Sequence, residues 1–507
     1  MGFSRASGIL LHPTCLPGPF GIGDFGSEAF AFVDFLREAG QKLWQVLPLN
    51  PTGYGDSPFQ CFSARAGNHL LISIEKLKDA GVLDAADLRD RPAFPEDQVD
   101  FDVVIRWKTT LLKKAASRFV SGATSEERRA FEDFCSGNAA WLDDYAIFMA
   151  CKEEQKNVAW NEWPDDLARR LPASLDAARE RLEDAILAAQ YWQFEFFRQW
   201  RELRAHAANA GIQVIGDIPI YVALDSADVW TNREYFCLSE NGQPLKIAGV
   251  PPDYFSATGQ CWGNPIYQWG RLKQTGYRWW IDRFRAALHL YDAVRIDHFR
   301  GFEAYWEIPG DATTALNGRW VKGPGAELFV ALERALGKLP IIAENLGVIT
   351  PDVESIRKQF GFPGMAILQF AFGKDPQGPS FRPHNYSREL VAYTGTHDND
   401  TTVGWWNSSG ADDSTRTPED VAKEHAFARA YLNLGDEPIH WALIRGVAAS
   451  VADLAIVPLQ DVLGLGSATR MNLPGTSNGN WRWRFRRGAL TSELAQRLRE
   501  LVVLYDR

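Results

Sequence analysis

Short apolar runs bounded by turn residues alternate along this chain with longer stretches in which apolar residues recur every three or four positions. Residues 8–11 form the first such run and end in a Pro/Gly-rich loop. Ser27 then caps a stretch in which Phe30, Val33 and Leu36 share one helical face, and Gly40 stops it. The run 42–49, K-L-W-Q-V-L-P-L, follows as a second strand, so the chain opens as a βαβ unit. The rhythm then breaks. Residues 52–68 are a loop dense in Gly, Ser and aromatics, and 80–204 is charged and amphipathic, with helical runs at 103–116, 126–135 and 188–204. This is too long for a connection, and 52–204 is expected to be an inserted loop and helical subdomain.

Strands resume at 213–218 (Q-V-I-G-D-I) and recur within 291–301 and at 340–343, 366–372, 390–394 and 454–459, with helices between them. Thr350, Pro351 and Asp352 open one of those helices as cap, first position and first-turn acid. Residues 246–270, rich in Gly, Pro and aromatics, are expected to be a second long loop. About eight strands with intervening helices predict an α/β fold, a (β/α)8 TIM barrel over 1–507 with mainly helical insertions and long loops at the C-terminal mouth of the strands. An open doubly wound sheet is the competitor. Its nucleotide-binding form is weakened because no G-x-G-x-x-G follows the first strand.

The most informative strand lies in Y-D-A-V-R-I-D-H-F-R-G, residues 291–301. Alternation places Ala293, Arg295 and Asp297 on one face and Val294 and Ile296 on the other. An Arg and an Asp on one buried face are costly unless they pair, and Arg295 would hold Asp297 ionised. Glu344 and Asp398 close two other expected strands, so the three carboxylates converge at one mouth if the barrel forms. A structural Arg–Asp pair is the plain alternative. A metal site is another, with His298, His397 and Asp400 as further donors, but no H-x-H, H-E-x-x-H or EF-hand spacing appears.

Acid/base chemistry fits the residues better. Retaining glycoside cleavage needs an ionised carboxylate as nucleophile and a carboxylic acid for the leaving oxygen, about 5–5.5 Å apart. Asp297 beside Arg295 suits the first role. Glu344, in the apolar run Ile341, Ile342 and Ala343, suits the second, because burial raises a carboxyl pKa. His298, His397 and Asp398 could then bind sugar hydroxyls.

Composition narrows the partners. A formal net charge of -10 without a basic block argues against nucleic acid, and 19 Trp suit ligands with flat apolar faces such as sugars. No run approaches a membrane span, and residues 1–13 do not read as a signal segment. The six Cys are scattered without C-x-x-C, which points to reduced thiols and a cytoplasmic location.

The segments R-I-D-H-F-R-G, A-E-N-L-G and T-G-T-H-D-N-D-T resemble signature regions of the 4-α-glucanotransferases of the amylomaltase (disproportionating enzyme) family. So do P-T-G-Y-G-D-S-P-F-Q, G-D-I-P-I-Y-V-A-L-D-S-A-D-V-W, A-G-V-P-P-D-Y-F-S-A-T-G-Q-C-W-G-N-P-I-Y and the later R-M-N-L-P-G-T and N-W-R-W-R. The resemblance implies a double displacement on α-1,4-glucans and maltooligosaccharides without a cofactor or metal. Asp297 would be the nucleophile, Glu344 the acid and then base, and Asp398 the residue that binds and distorts the ring. Arg295, His298 and His397 would line the cleavage subsite, with Asp217 nearby. Asp253, Phe255 and Trp262 would belong to a lid, and Tyr54, Ser57 and Phe59 to glucan contacts. Phe59 departs from the Tyr expected in G-D-S-P-Y-Q, which keeps a stacking face and loses a hydroxyl. A hydrolase using the same carboxylates, and a glucan-binding protein without turnover, are the remaining readings.

Overall fold

The computed structural model describes residues 3–252, 256–410 and 416–507. Its strands are β1 (Ala6–Leu10), β2 (Leu43–Gln45), β3 (Gln213–Pro219), β4 (Lys246–Val250), β5 (Gln260–Pro265), β6 (Ala293–Asp297), β7 (Ala304–Pro309), β8 (Arg319–Lys322), β9 (Ile341–Ala343), β10 (Gly364–Ile367), β11 (Leu390–Tyr393) and β12 (Leu454–Pro458). Eight of them run parallel in the order β10-β11-β12-β1-β2-β3-β6-β9. The Ala343 N–H donates to Pro363 O at 2.9 Å, which joins β9 to the start of β10 and closes the ring. The fold is the (β/α)8 barrel that the strand–helix rhythm predicts, and the eight barrel strands are the eight expected from the apolar runs.

Strand boundaries shift for local reasons. The run expected as a strand over 366–372 leaves the sheet at Ile367 and tightens into a 3-10 turn, Leu368–Ala371. Strand β2 is only three residues long, because Pro48 and the turn after it end the pairing.

Residues 246–270, expected as a loop, hold β4 and β5, which join β7 and β8 in a second, antiparallel sheet of order β5-β4-β7-β8. Strands β4 and β5 are short and carry Gly249, Gly263 and Pro265, so neither alternation nor propensity marks them. Pairing between segments far apart in sequence creates this sheet.

The barrel wall is dense. Val294 and Ile296 are fully buried on the outer face of β6. Gly216 lets the Tyr291 ring lie against β3, where a Cβ would come within 2.1 Å of it. Tyr291 Oη in turn accepts a hydrogen bond from the Leu49 N–H at 3.1 Å. Outside the barrel, helix Glu183–Asn209 packs on the wall, its Trp200 Nε1 donating to Leu290 O at 3.0 Å. It also reaches helix Ser125–Glu154 through edge-on aromatics such as Phe134 and Phe194, with ring centroids 5.7 Å apart. Gln193 clamps Gly67 from both sides, accepting from its N–H at 2.7 Å and donating to its carbonyl at 2.9 Å. That clamp fixes the 52–68 loop over the barrel mouth. Among the described residues no helix is long and apolar enough to cross a membrane.

Candidate active site

Alternation along β3 and β6 puts Asp217 and Arg295 on the inner face, directly opposite each other in register. Arg295 is 4% exposed. Its Nη1 meets Asp217 Oδ2 at 2.7 Å and its Nη2 meets Asp297 Oδ1 at 2.9 Å. One guanidinium therefore bridges a fully buried carboxylate and one that opens to solvent. Burial presses the Asp217 pKa upward and Arg295 opposes it. The interior beside them is also polar: Tyr393 Oη donates to Gln45 Oε1 at 2.8 Å. Asp217 supports Arg295 from beneath and does not itself line the cleft.

Glu344 follows β9 directly and is buried. Its Oε2 accepts from the His298 N–H at 2.7 Å and its Oε1 from the Leu346 N–H at 2.7 Å. Those bonds and Arg295 favour the anion, but burial outweighs them and the neighbouring Asp297 charge adds to it. The carboxyl is pushed up to about 7. His298 sits at φ +52°, a left-handed conformation that costs a non-glycine residue about 1–3 kcal/mol. The turn ends β6 abruptly and aims the His298 N–H at Glu344.

Asp398 lies beyond β11. Its Oδ1 accepts from Asn472 Nδ2 at 2.6 Å, and Arg470 Nη2 donates to its backbone carbonyl at 2.6 Å. His397 Nε2 is 3.4 Å from the same Oδ1. The His397 ring stacks on Phe59 with centroids 4.8 Å apart, and its pKa is lowered by burial. Burial also holds the His298 ring neutral, its pKa near 4, with Trp262 edge-on at 4.9 Å. The His298 Nε2 is buried without a hydrogen-bond partner.

Asp297, Glu344 and Asp398 open into one cleft of about 1320 Å³, together with Arg295, His298, His397, Trp262, Phe59 and Ser57. Ser57 Oγ accepts from the Phe59 N–H at 3.2 Å, which sets the turn that presents Phe59. Tyr54 stands at the rim, 77% exposed. Asp253 and Phe255 lie outside the described residues. Sequence reasoning did not single out Asn472 and Arg470 beside Asp398. Their only signal is the R-M-N-L-P-G-T segment, read as part of a resemblance and not as a partner of a strand seventy residues earlier.

A (β/α)8 barrel with an arginine-paired carboxylate and a second carboxyl near pKa 7 in one long cleft defines an enzyme of glycosidic-bond chemistry. A family model described as 4-alpha-glucanotransferase matches residues 11–491. The chain is 51% identical to the 4-alpha-glucanotransferase of Synechocystis sp., over 99% of this chain and 98% of that protein. It is 49% identical to that of Thermus thermophilus, over the full length of both. Amylomaltase from Streptococcus agalactiae, solved in complex with acarbose, superposes with a TM-score of 0.93 at 43% identity, covering 99% of each chain. The chain belongs to the 4-alpha-glucanotransferase family.

Proposed function

We propose that the cleft cuts an α-1,4 bond of a maltooligosaccharide, starch or glycogen chain and passes the donor segment to the 4-hydroxyl of another glucan or of glucose. Asp297 attacks the anomeric carbon while Glu344 gives its proton to the departing glycosidic oxygen. A glycosyl ester on Asp297 results. The acceptor hydroxyl then loses its proton to Glu344 and displaces Asp297, so two inversions give net retention.

Two features carry this reading: the Arg295 guanidinium 2.9 Å from Asp297, and Glu344 with its pKa near 7. Asp398, held by Asn472, would grip and distort the sugar ring, and His298 and His397 would hydrogen-bond its hydroxyls. The unpartnered His298 Nε2 is ready for such a hydroxyl. Tyr54, Ser57 and Phe59 would contact the glucan farther out. Residues 246–270, including Asp253 and Phe255, would serve as a lid whose Trp262 already reaches His298. A covered cleft favours transfer over hydrolysis because it keeps water from the ester. The six free cysteines accord with work in the cytoplasm.

Incubation with maltotriose alone tests the reaction. Longer maltooligosaccharides and glucose, with little growth in total reducing ends, are expected. A steady rise in reducing ends with only shorter products would make the protein a hydrolase instead.

A further inference from the structure

The cleft extends well past the carboxylates, and one wall of that extension is aromatic. Trp320 of β8 lines it and keeps 37% of its surface exposed. The ring is fixed from two directions. The Arg300 guanidinium lies 3.5 Å from its centroid, and Trp306, its cross-strand partner on β7, meets it at 68° with centroids 5.1 Å apart. Trp306 is itself locked, its Nε1 donating to Ala315 O at 2.9 Å. Gly318 permits that approach, since a Cβ there would sit 2.1 Å from the same nitrogen. Arg300 is 4% exposed, and its Nη1 donates to Val348 O.

A large apolar ring held by a guanidinium and a second indole, yet left more than a third exposed in a cleft, is a rigid stacking surface that loses little entropy on binding. Its position gives it a side. Glu344 protonates the departing oxygen, so the departing chain, and the acceptor that replaces it, lie beyond Glu344. Val348 and Ile349, which also line the cleft, continue the chain from Glu344, and Arg300 ties Trp320 to Val348.

Resting on the transferase reading above, we propose that Trp320, backed by Arg300, is a distal acceptor subsite that stacks on a pyranose ring of an incoming maltooligosaccharide beyond the first acceptor glucose. The surface favours longer acceptors over free glucose. It sets acceptor length preference without touching the reacting atoms.

The test varies acceptor length at saturating amylose donor, with labelled glucose or labelled maltotetraose as acceptor, in the unsubstituted enzyme, Trp320→Ala and Trp320→Phe. Trp320→Ala should raise the ratio of the maltotetraose KM to the glucose KM about tenfold, the loss expected for one stacked aromatic face. Trp320→Phe, which keeps a ring, should restore most of it. An unchanged ratio in Trp320→Ala would overturn the subsite. Calorimetric titration of maltoheptaose into Glu344→Gln and Glu344→Gln/Trp320→Ala reads the platform without turnover. If the unsubstituted enzyme transfers nothing while this binding still depends on Trp320, the reaction fails and the glucan platform stands. Equal binding by both proteins would remove the platform whatever the reaction.

Discussion

Arg295→Met removes one charge from the centre of the barrel and leaves an apolar side chain that ends where the guanidinium began. In the native fold that charge faces Asp217 at 2.7 Å and Asp297 at 2.9 Å, and the group is almost fully buried. Breaking a buried pair by deleting one partner costs about 3–5 kcal/mol, because the other charge is left uncompensated. Asp217 is the partner that cannot reach water, so most of the loss should come from it. Adding Asp217→Asn removes the buried carboxyl left without its partner and should return part of the loss, as a non-additive coupling of about 1–3 kcal/mol. Urea unfolding at pH 7 of the four proteins in the cycle measures this by linear extrapolation. Activity should fall more steeply than stability and stay low in the double variant, since Asp297 has lost the cation that orients it. An Arg295→Met protein within about 1 kcal/mol of the original, with additive effects in the cycle, would refute the view of Arg295 as the charge that organises the mouth.

Four further perturbations probe other residues. Because Glu344 must carry its proton to start the reaction and its pKa is about 7, kcat/KM should fall as pH rises through about 7; an alkaline limb several units higher would contradict the role. The same raised pKa means that the stabilising contribution of this group is complete below 4.5 and is lost as pH climbs through about 7, a dependence that Glu344→Gln should abolish in pH-resolved unfolding. Asn472→Ala removes the 2.6 Å donor to Asp398 and should lower kcat about 10- to 100-fold at unchanged stability, the value of one hydrogen bond to a charged group; full activity would free Asp398 of that dependence. Gly216→Ala should destabilise the barrel by about 1–3 kcal/mol, because its Cβ would come within 2.1 Å of the Tyr291 ring; an unchanged melting temperature would show that the wall gives way freely.

The barrel was legible because each of its strands is a short apolar run between turn residues, and because three of those runs lead into an acidic residue at the same end. Arg295 and Asp297 could be paired from alternation alone, and Asp217 was expected close by. That Arg295 bridges the two depends on strand register between β3 and β6, which no local pattern encodes. The antiparallel sheet escaped notice for a related reason. Strands β4 and β5 carry Gly249, Gly263 and Pro265, β8 is only four residues long, and the four strands pair with one another. Trp320 was hidden with them, since only pairing with β7 brings it to the cleft. Asn472 and Arg470 hold Asp398 across more than seventy residues, a contact set by tertiary packing and not by spacing.

The central claim is a covalent glycosyl ester on Asp297, and Glu344→Gln with α-maltotriosyl fluoride tests it most directly. Fluoride leaves without acid help, whereas the ester then waits for a base that glutamine cannot supply. Quenching in acid, digestion and mass spectrometry should find the maltotriosyl group on the peptide that contains Asp297, at that residue. Label on another side chain, or release of fluoride in a single burst-free phase with no labelled peptide, would contradict the account.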